Sequence, residues 1–367
     1  MKTPTMRTAL FLSAVAVASA LACGCDKKET QRDSEQGNVA SDAGVSKASQ
    51  VAADEPDLAK AMGSVAAGRA NTAANTAGGP PPTGIFAAGE ADKAAAKGAS
   101  AALTVGSDGA EPRVSLGPAP KPGFKRAGTF DLATQSDPQQ GAIPIQFAVS
   151  FEASKGKAEG EAAAAATQIV AKVTSAKINA PGVPADLAAA VGKLKGSRVE
   201  YLVGPDGTAS SPKTEMSKGA DPSFRDPLQA LSDLLVNVAL PFPSKPVGVG
   251  AYWMVTSRDV ILGLDVVTYR LVKVEKIEGN HVSLSVNTKR YAASPSFEIE
   301  GLPPEAPKFM SEFRSQGEGK ISVAAGEAVP SDGELQSMIG AALGPADAKQ
   351  RPMVQVQTRA SFTLAAP

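Results

Sequence analysis

The chain has 367 residues, and its 37 Lys+Arg against 37 Asp+Glu cancel; loss of Lys2 and Arg7 with the first 22 residues leaves 35 against 37, a net charge of about −2. This balance excludes the basic footprint of a nucleic-acid binder. A single histidine, His281, excludes a histidine-rich metal site, and with both cysteines at positions 23 and 25 everything downstream must fold without disulfides.

In chain order, Lys2 and Arg7 come first, followed by an unbroken small-apolar stretch from Ala9 to Ala22. This has the length of a secretory h-region and is too short to span a bilayer comfortably. It runs into Ala20-Leu21-Ala22-Cys23-Gly24-Cys25-Asp26. That segment resembles the lipobox of bacterial lipoproteins, in which small residues precede a cysteine that is acylated and becomes the mature N-terminus. The resemblance implies a signal peptide over residues 1–22, a palmitate-type acyl anchor on Cys23, and a place in the cell envelope facing the periplasm or the cell surface. Ala-Leu-Ala before Cys23 fits the cut better than Ala-Cys-Gly before Cys25, which stays the alternative. An aspartate directly after the lipidated cysteine resembles an inner-membrane retention signal; with Gly24 in that place, inner and outer membrane both remain open. No later run of about 20 apolar residues occurs, so the membrane is met through N-terminal acyl chains alone.

Residues 23–125 read as a long disordered tether. Ala, Gly, Ser, Pro, Thr and mixed charges dominate, and Phe86 is the only aromatic between Asp26 and Gly123. Such a segment buries too little apolar surface to offset its conformational entropy.

Residues 126–367 read as one α+β globular domain. Ile143, Ile145, Phe147, Val149 and Phe151 alternate with polar or small residues, as do Ile169, Ala171 and Val173, predicting strands with one buried face. Pro184 to Lys195 reads as a helix with Leu187, Val191 and Leu194 on one side, stopped by Gly196. A hairpin follows through Val199, Tyr201 and Val203, turning at Gly204-Pro205-Asp206-Gly207. A second helix begins with Asp226 as N-cap and Pro227 at the first position and ends before Pro241; Leu228, Leu231, Leu234, Leu235 and Val238 form its apolar stripe. Val267, Tyr269 and Leu271 then alternate, and the pattern slips to Val272 and Val274, which predicts a bulge at that point. Gly279-Asn280 turns into Val282, Leu284 and Val286, and a long amphipathic strand runs from Val354 to Leu364.

The expected fold is a mainly antiparallel curved sheet or half-barrel with two packed helices. The order of elements over residues 140–365 resembles that of bacterial envelope lipoproteins of no assigned activity: a helix, a Leu194-Lys195-Gly196-led hairpin to Asp206-Gly207, a second amphipathic helix, a Pro246-to-Trp253 strand and a terminal meander. By architecture alone it is also similar to the half-barrels of periplasmic lipoprotein carriers, whose concave face holds acyl chains under helical lids; a shared architecture does not establish a shared function.

Catalytic patterns fail on inspection. Gly248-Val249-Gly250 has Trp253 where a third dinucleotide-binding glycine belongs. Ser210-Ser211-Pro212-Lys213 has the Ser-x-x-Lys spacing but lies on the return strand of a hairpin. His281 shares the polar side of its strand with Ser283 and Ser285. No cofactor and no catalytic role are expected. The sequence thus predicts a non-enzymatic binding or carrier module for an apolar or envelope component, with Leu228, Leu231, Leu235 and Trp253 as its ligand or core face. The alternative is a structural lipoprotein that binds another envelope protein through a sheet filled by its own side chains. An apolar cavity of several hundred Å³ between the second helix and the sheet separates the two.

Overall fold

The structure, a computed structural model, describes residues 81–117, 119–135, 141–156, 166–205, 207–261, 263–297, 308–327, 329–348 and 351–365. The signal segment, Cys23, Cys25 and the expected tether up to residue 80 lie outside the described residues. No helix among those described is long and apolar enough to cross a membrane.

Alternating apolar residues dictate strands, and the described residues form twelve: β1 (Ala102–Ser107), β2 (Lys125–Gln135), β3 (Ile143–Lys155), β4 (Thr167–Ile178), β5 (Arg198–Val203), β6 (Ala209–Glu215), β7 (Tyr252–Ile261), β8 (Leu264–Glu278), β9 (His281–Ala292), β10 (Met310–Ala324), β11 (Asp332–Leu343) and β12 (Met353–Leu364). Helices are few: α1 (Glu90–Ala94), α2 (Ala185–Gly192) and α3 (Arg225–Val238). All twelve strands join one open sheet in the order β1-β7-β8-β9-β10-β11-β12-β2-β3-β4-β5-β6, and every neighbouring pair is antiparallel. Two meanders, β2–β6 and β7–β12, are thus zipped together by the β12–β2 pair, and α3 carries the chain from the β6 edge to β7, which lies beside the other edge strand, β1.

The sheet is strongly curved. In a flat sheet β1 and β5, ten places apart at about 4.8 Å each, would stand roughly 48 Å from one another. Instead Leu103 of β1 and Val203 of β5 line the same cavity. One continuous core on the concave face, from Phe130 and Phe147 to Trp253 and Val272, explains why the curl is stable.

Residues 81–124, expected as the end of the tether, are instead part of the fold. β1 pairs with β7, Ile85 bridges Ala292, and Val114 and Val247 exchange both backbone hydrogen bonds. Ala91 is buried on the outer face beside Val267 and Ala293, with Phe86 packed alongside. Arg258 grips Asp265 with two nitrogens, at 2.5 and 3.0 Å, and donates to the Ala95 carbonyl, which pins α1 there. A segment poor in large apolar residues needs no core of its own when it satisfies its backbone on an existing sheet edge. Gly248 makes the closest of these approaches: a Cβ there would lie 1.6 Å from the Ala110 carbonyl oxygen.

The same covering layer corrects the expected bulge at Leu271–Val272. Val272 and Val274 belong to the concave core, while Val267 and Leu271 point outward and are also buried. Both faces of β8 carry buried apolar residues because both are covered; the register shift falls at Val274/Lys276. The start of α3 differs as well. It begins at Arg225, and the capping carboxylate is Asp221, which accepts the Ser223 N–H at 2.9 Å in the preceding 3₁₀ turn Pro222–Phe224. Asp226 is not the cap.

Candidate functional site

Strand parity puts Phe130 (β2), Phe151 (β3), Ile169 (β4) and Tyr201 with Val203 (β5) side by side on the concave face, since each pairs in register with the next strand's inward residue. Opposite them stand Leu235 and Val238, one helical turn apart on α3, and the extended segment that follows it, with Leu240 and Phe242. Part of the space between the two layers is left unfilled. They enclose a partly open, predominantly apolar cavity of about 550 Å³, within the roughly 300–1,000 Å³ of small-ligand sites.

The segment after α3 is held rigidly. Trp253, fully buried on β7, donates its indole N–H to the Pro241 carbonyl at 3.1 Å, and its ring meets Phe242 edge-on at 6.2 Å. Of the residues singled out from the sequence, Leu235 lines the cavity. Leu228 and Leu231 are fully buried in the core beside it, and Trp253 supports its wall from behind. Phe130, Phe151, Tyr201 and Phe242 escaped the sequence reading, although the alternation of β3 and β5 already put two of them on buried faces. Burial also pushes the Tyr201 phenol above its ordinary pKa, so it stays protonated.

At one side of the cavity, behind the lining residues Phe124 and Phe151, lies Arg126. It follows the inward parity of Phe130, pairs in register with Phe151 and is 8% exposed. Its guanidinium stands 5.5 Å from the ring centre of Phe124, a lining residue. Nη2 reaches Glu327 Oε2 at 2.8 Å, while the buried Nε has no hydrogen-bond partner among the described residues.

Farther along the concave face lies a polar belt. Arg270, Thr288, Gly317, Ser337, Thr358 and Thr134 are successive cross-strand partners from β8 to β2. Arg290, beside them, donates to Ser315 Oγ at 3.5 Å; Arg270 lies 3.9 Å from Asp259, which accepts from Ser257 Oγ at 2.7 Å. Asp233 of α3 faces the same group. Burial raises its pKa to about 6, against the opposing pull of Gln229 and Arg290. Burial, with Arg270 adjacent, lowers Arg290 to about 10. The sequence reading missed this belt because it took Val267, Tyr269 and Leu271 as the inward face, which would turn the arginine outward. Extending the parity of Val272 and Val274 backwards leads directly to Arg270 and Thr268. No group of three or more His, Cys, Asp or Glu suited to a metal occurs among the described residues.

No family model and no curated protein matches this chain. Among solved structures it is similar to one described as lipid-protein interactions in lipovitellin, with a TM-score of 0.39 and 11% identity over 67% of this chain. The match spans 25% of that protein's length.

Proposed function

We propose that this domain is a non-enzymatic binding or carrier module for an apolar ligand, tethered in a bacterial envelope by an acylated Cys23. In this reading the open sheet works as a half-barrel, with α2 and α3 as its packed helices. The C-terminal half of α3 and the segment after it roof the binding site. The single observation that carries the reading is the cavity of about 550 Å³ between that roof and the concave face. A sheet that only served as a scaffold would gain by filling such a space with its own apolar side chains, since each would bury surface and make dispersion contacts. The anchor rests on the lipobox-like residues before Cys23 and is a separate part of the proposal.

The test is saturable binding of a neutral apolar fluorophore such as N-phenyl-1-naphthylamine. The wild-type chain should enhance its emission, and Val238→Trp, which adds bulk where α3 faces the space, should weaken binding at least tenfold with the thermal midpoint preserved. Absence of saturable binding in the wild type would remove the carrier reading and leave the protein-binding alternative. For the anchor, Cys23→Ser should abolish acylation by mass spectrometry while Cys25→Ser should not; the reverse pattern would move the lipid to Cys25.

A further inference from the structure

We infer that the ligand is an acyl chain with a carboxylate head, and that Arg126 is the residue that binds the head. The inference rests on the carrier reading and specifies its ligand. It starts from a cost. A guanidinium is expensive to bury unless its charge is compensated and its N–H groups are paired. Arg126 is buried on the apolar face of the sheet, and among the described residues a single carboxylate, Glu327 through one oxygen, compensates it.

The guanidinium is hemmed in by cavity wall. Phe124 lies under it, and Phe151 is its cross-strand partner. The main-chain oxygen of Glu327 accepts from Gly117, and Glu327 sits two residues before Val329. Phe124, Phe151, Gly117 and Val329 all line the cavity. A group held by Arg126 would therefore stand at the wall of the apolar space.

The donor set selects the head. Carboxylates are bound best in bidentate fashion, and the Nε–Nη2 edge of arginine is a fork for two oxygens. Glu327 occupies the Nη2 end, and Nε is buried without a partner. Glu327 is itself 38% exposed, so it can swing into solvent and leave the fork to a ligand carboxylate that uses both ends. It acts as a stand-in, keeping the charge compensated while the cavity is empty. The volume selects the tail. At about 30 Å³ per solvent-sized heavy atom, the space holds roughly 15–20 heavy atoms, the length of one acyl chain.

The experiment compares hexadecanoic acid with hexadecan-1-ol at pH 8 by competition against the bound fluorophore, with lysophosphatidic acid as a third arm to separate a phosphate head from a carboxylate. The wild type should prefer the acid over the alcohol at least tenfold and over the phosphate. Arg126→Met should lose that preference while keeping the alcohol's affinity. Glu327→Gln should tighten the acid several-fold by removing the competing carboxylate. A purely structural Arg126–Glu327 pair would not give that result, and the second variant needs no stable Arg126→Met protein. Equal binding of acid and alcohol in the wild type, or weakened acid binding in Glu327→Gln, would overturn the assignment and leave the apolar cavity reading intact. A preference for the phosphate arm would overturn the carboxylate. Binding of none of the three would remove the carrier reading itself.

Discussion

Truncation of Leu231 and of Leu235, four residues apart on the same helix, should have different consequences. Leu231 is 0% exposed and surrounded by core side chains, whereas Leu235, 3% exposed, has the cavity on one side. Leu→Ala removes three carbons, about 2.4 kcal/mol at ~0.8 kcal/mol each. At Leu231 a new void adds on the order of 1–2 kcal/mol, placing the total near 4 kcal/mol, whereas at Leu235 the removed volume merges with space that already exists. At about 2 °C per kcal/mol for a domain of this size, Leu231→Ala should lower the thermal midpoint by about 8 °C and Leu235→Ala by about 5 °C. The pattern should invert in ligand binding: Leu231→Ala leaves fluorophore affinity within about twofold, and Leu235→Ala changes it clearly. Differential scanning calorimetry with a titration of each variant reads both quantities. Equal losses of stability with equal effects on binding would refute the placement of the two leucines on different sides of the cavity wall.

Asp233 gives a pH signature. Its folded pKa of about 6 lies above the ordinary 3.8, so its contribution favours the folded state below about pH 4 and is lost as pH rises through about 6. Asp233→Asn, which keeps the shape and cannot titrate, should therefore gain in thermal midpoint relative to wild type between pH 4.5 and pH 7.5; a pH-independent difference would show that Gln229 and Arg290 hold the carboxyl at an ordinary pKa. Limited proteolysis should leave a stable fragment that retains Ile85 and β1, and one starting at residues 120–142 would contradict the strap of residues 81–114. Gly248→Val, whose Cβ would collide with the Ala110 carbonyl, should loosen that strap and expose new cleavage sites between Ser107 and Val114.

Much of the sheet was legible because alternation is local. Ile145 to Phe151, Ile169 to Val173 and Val199 to Val203 all appear as strands with the expected inward faces. The stripe on α3 was equally visible, since Leu228, Leu231, Leu235 and Val238 repeat at helical spacing whatever lies opposite. The failures share a cause. β8 reads as two overlapping alternations, and nothing local says that Phe86 and Ala91, far earlier in the chain, cover its outer face. Residues 81–124 lack the apolar content that marks a core, yet they pair their backbone with β7, Ala292 of β9 and the segment Val247–Val249, and need little else.

The sequence by itself determined the charge balance, the absence of downstream disulfides, the antiparallel strands and the apolar face of α3, because each follows from residue type and spacing along the chain. Only the tertiary structure decided that the sheet curls until β1 and β5 share one cavity, that Arg126 is buried beside the lining residues Phe124 and Phe151, and that α3 divides its stripe between core and empty space. Those features depend on which distant residues meet. Apolar periodicity marks a residue as buried but carries no information on whether its neighbour across the interior is another side chain or a void.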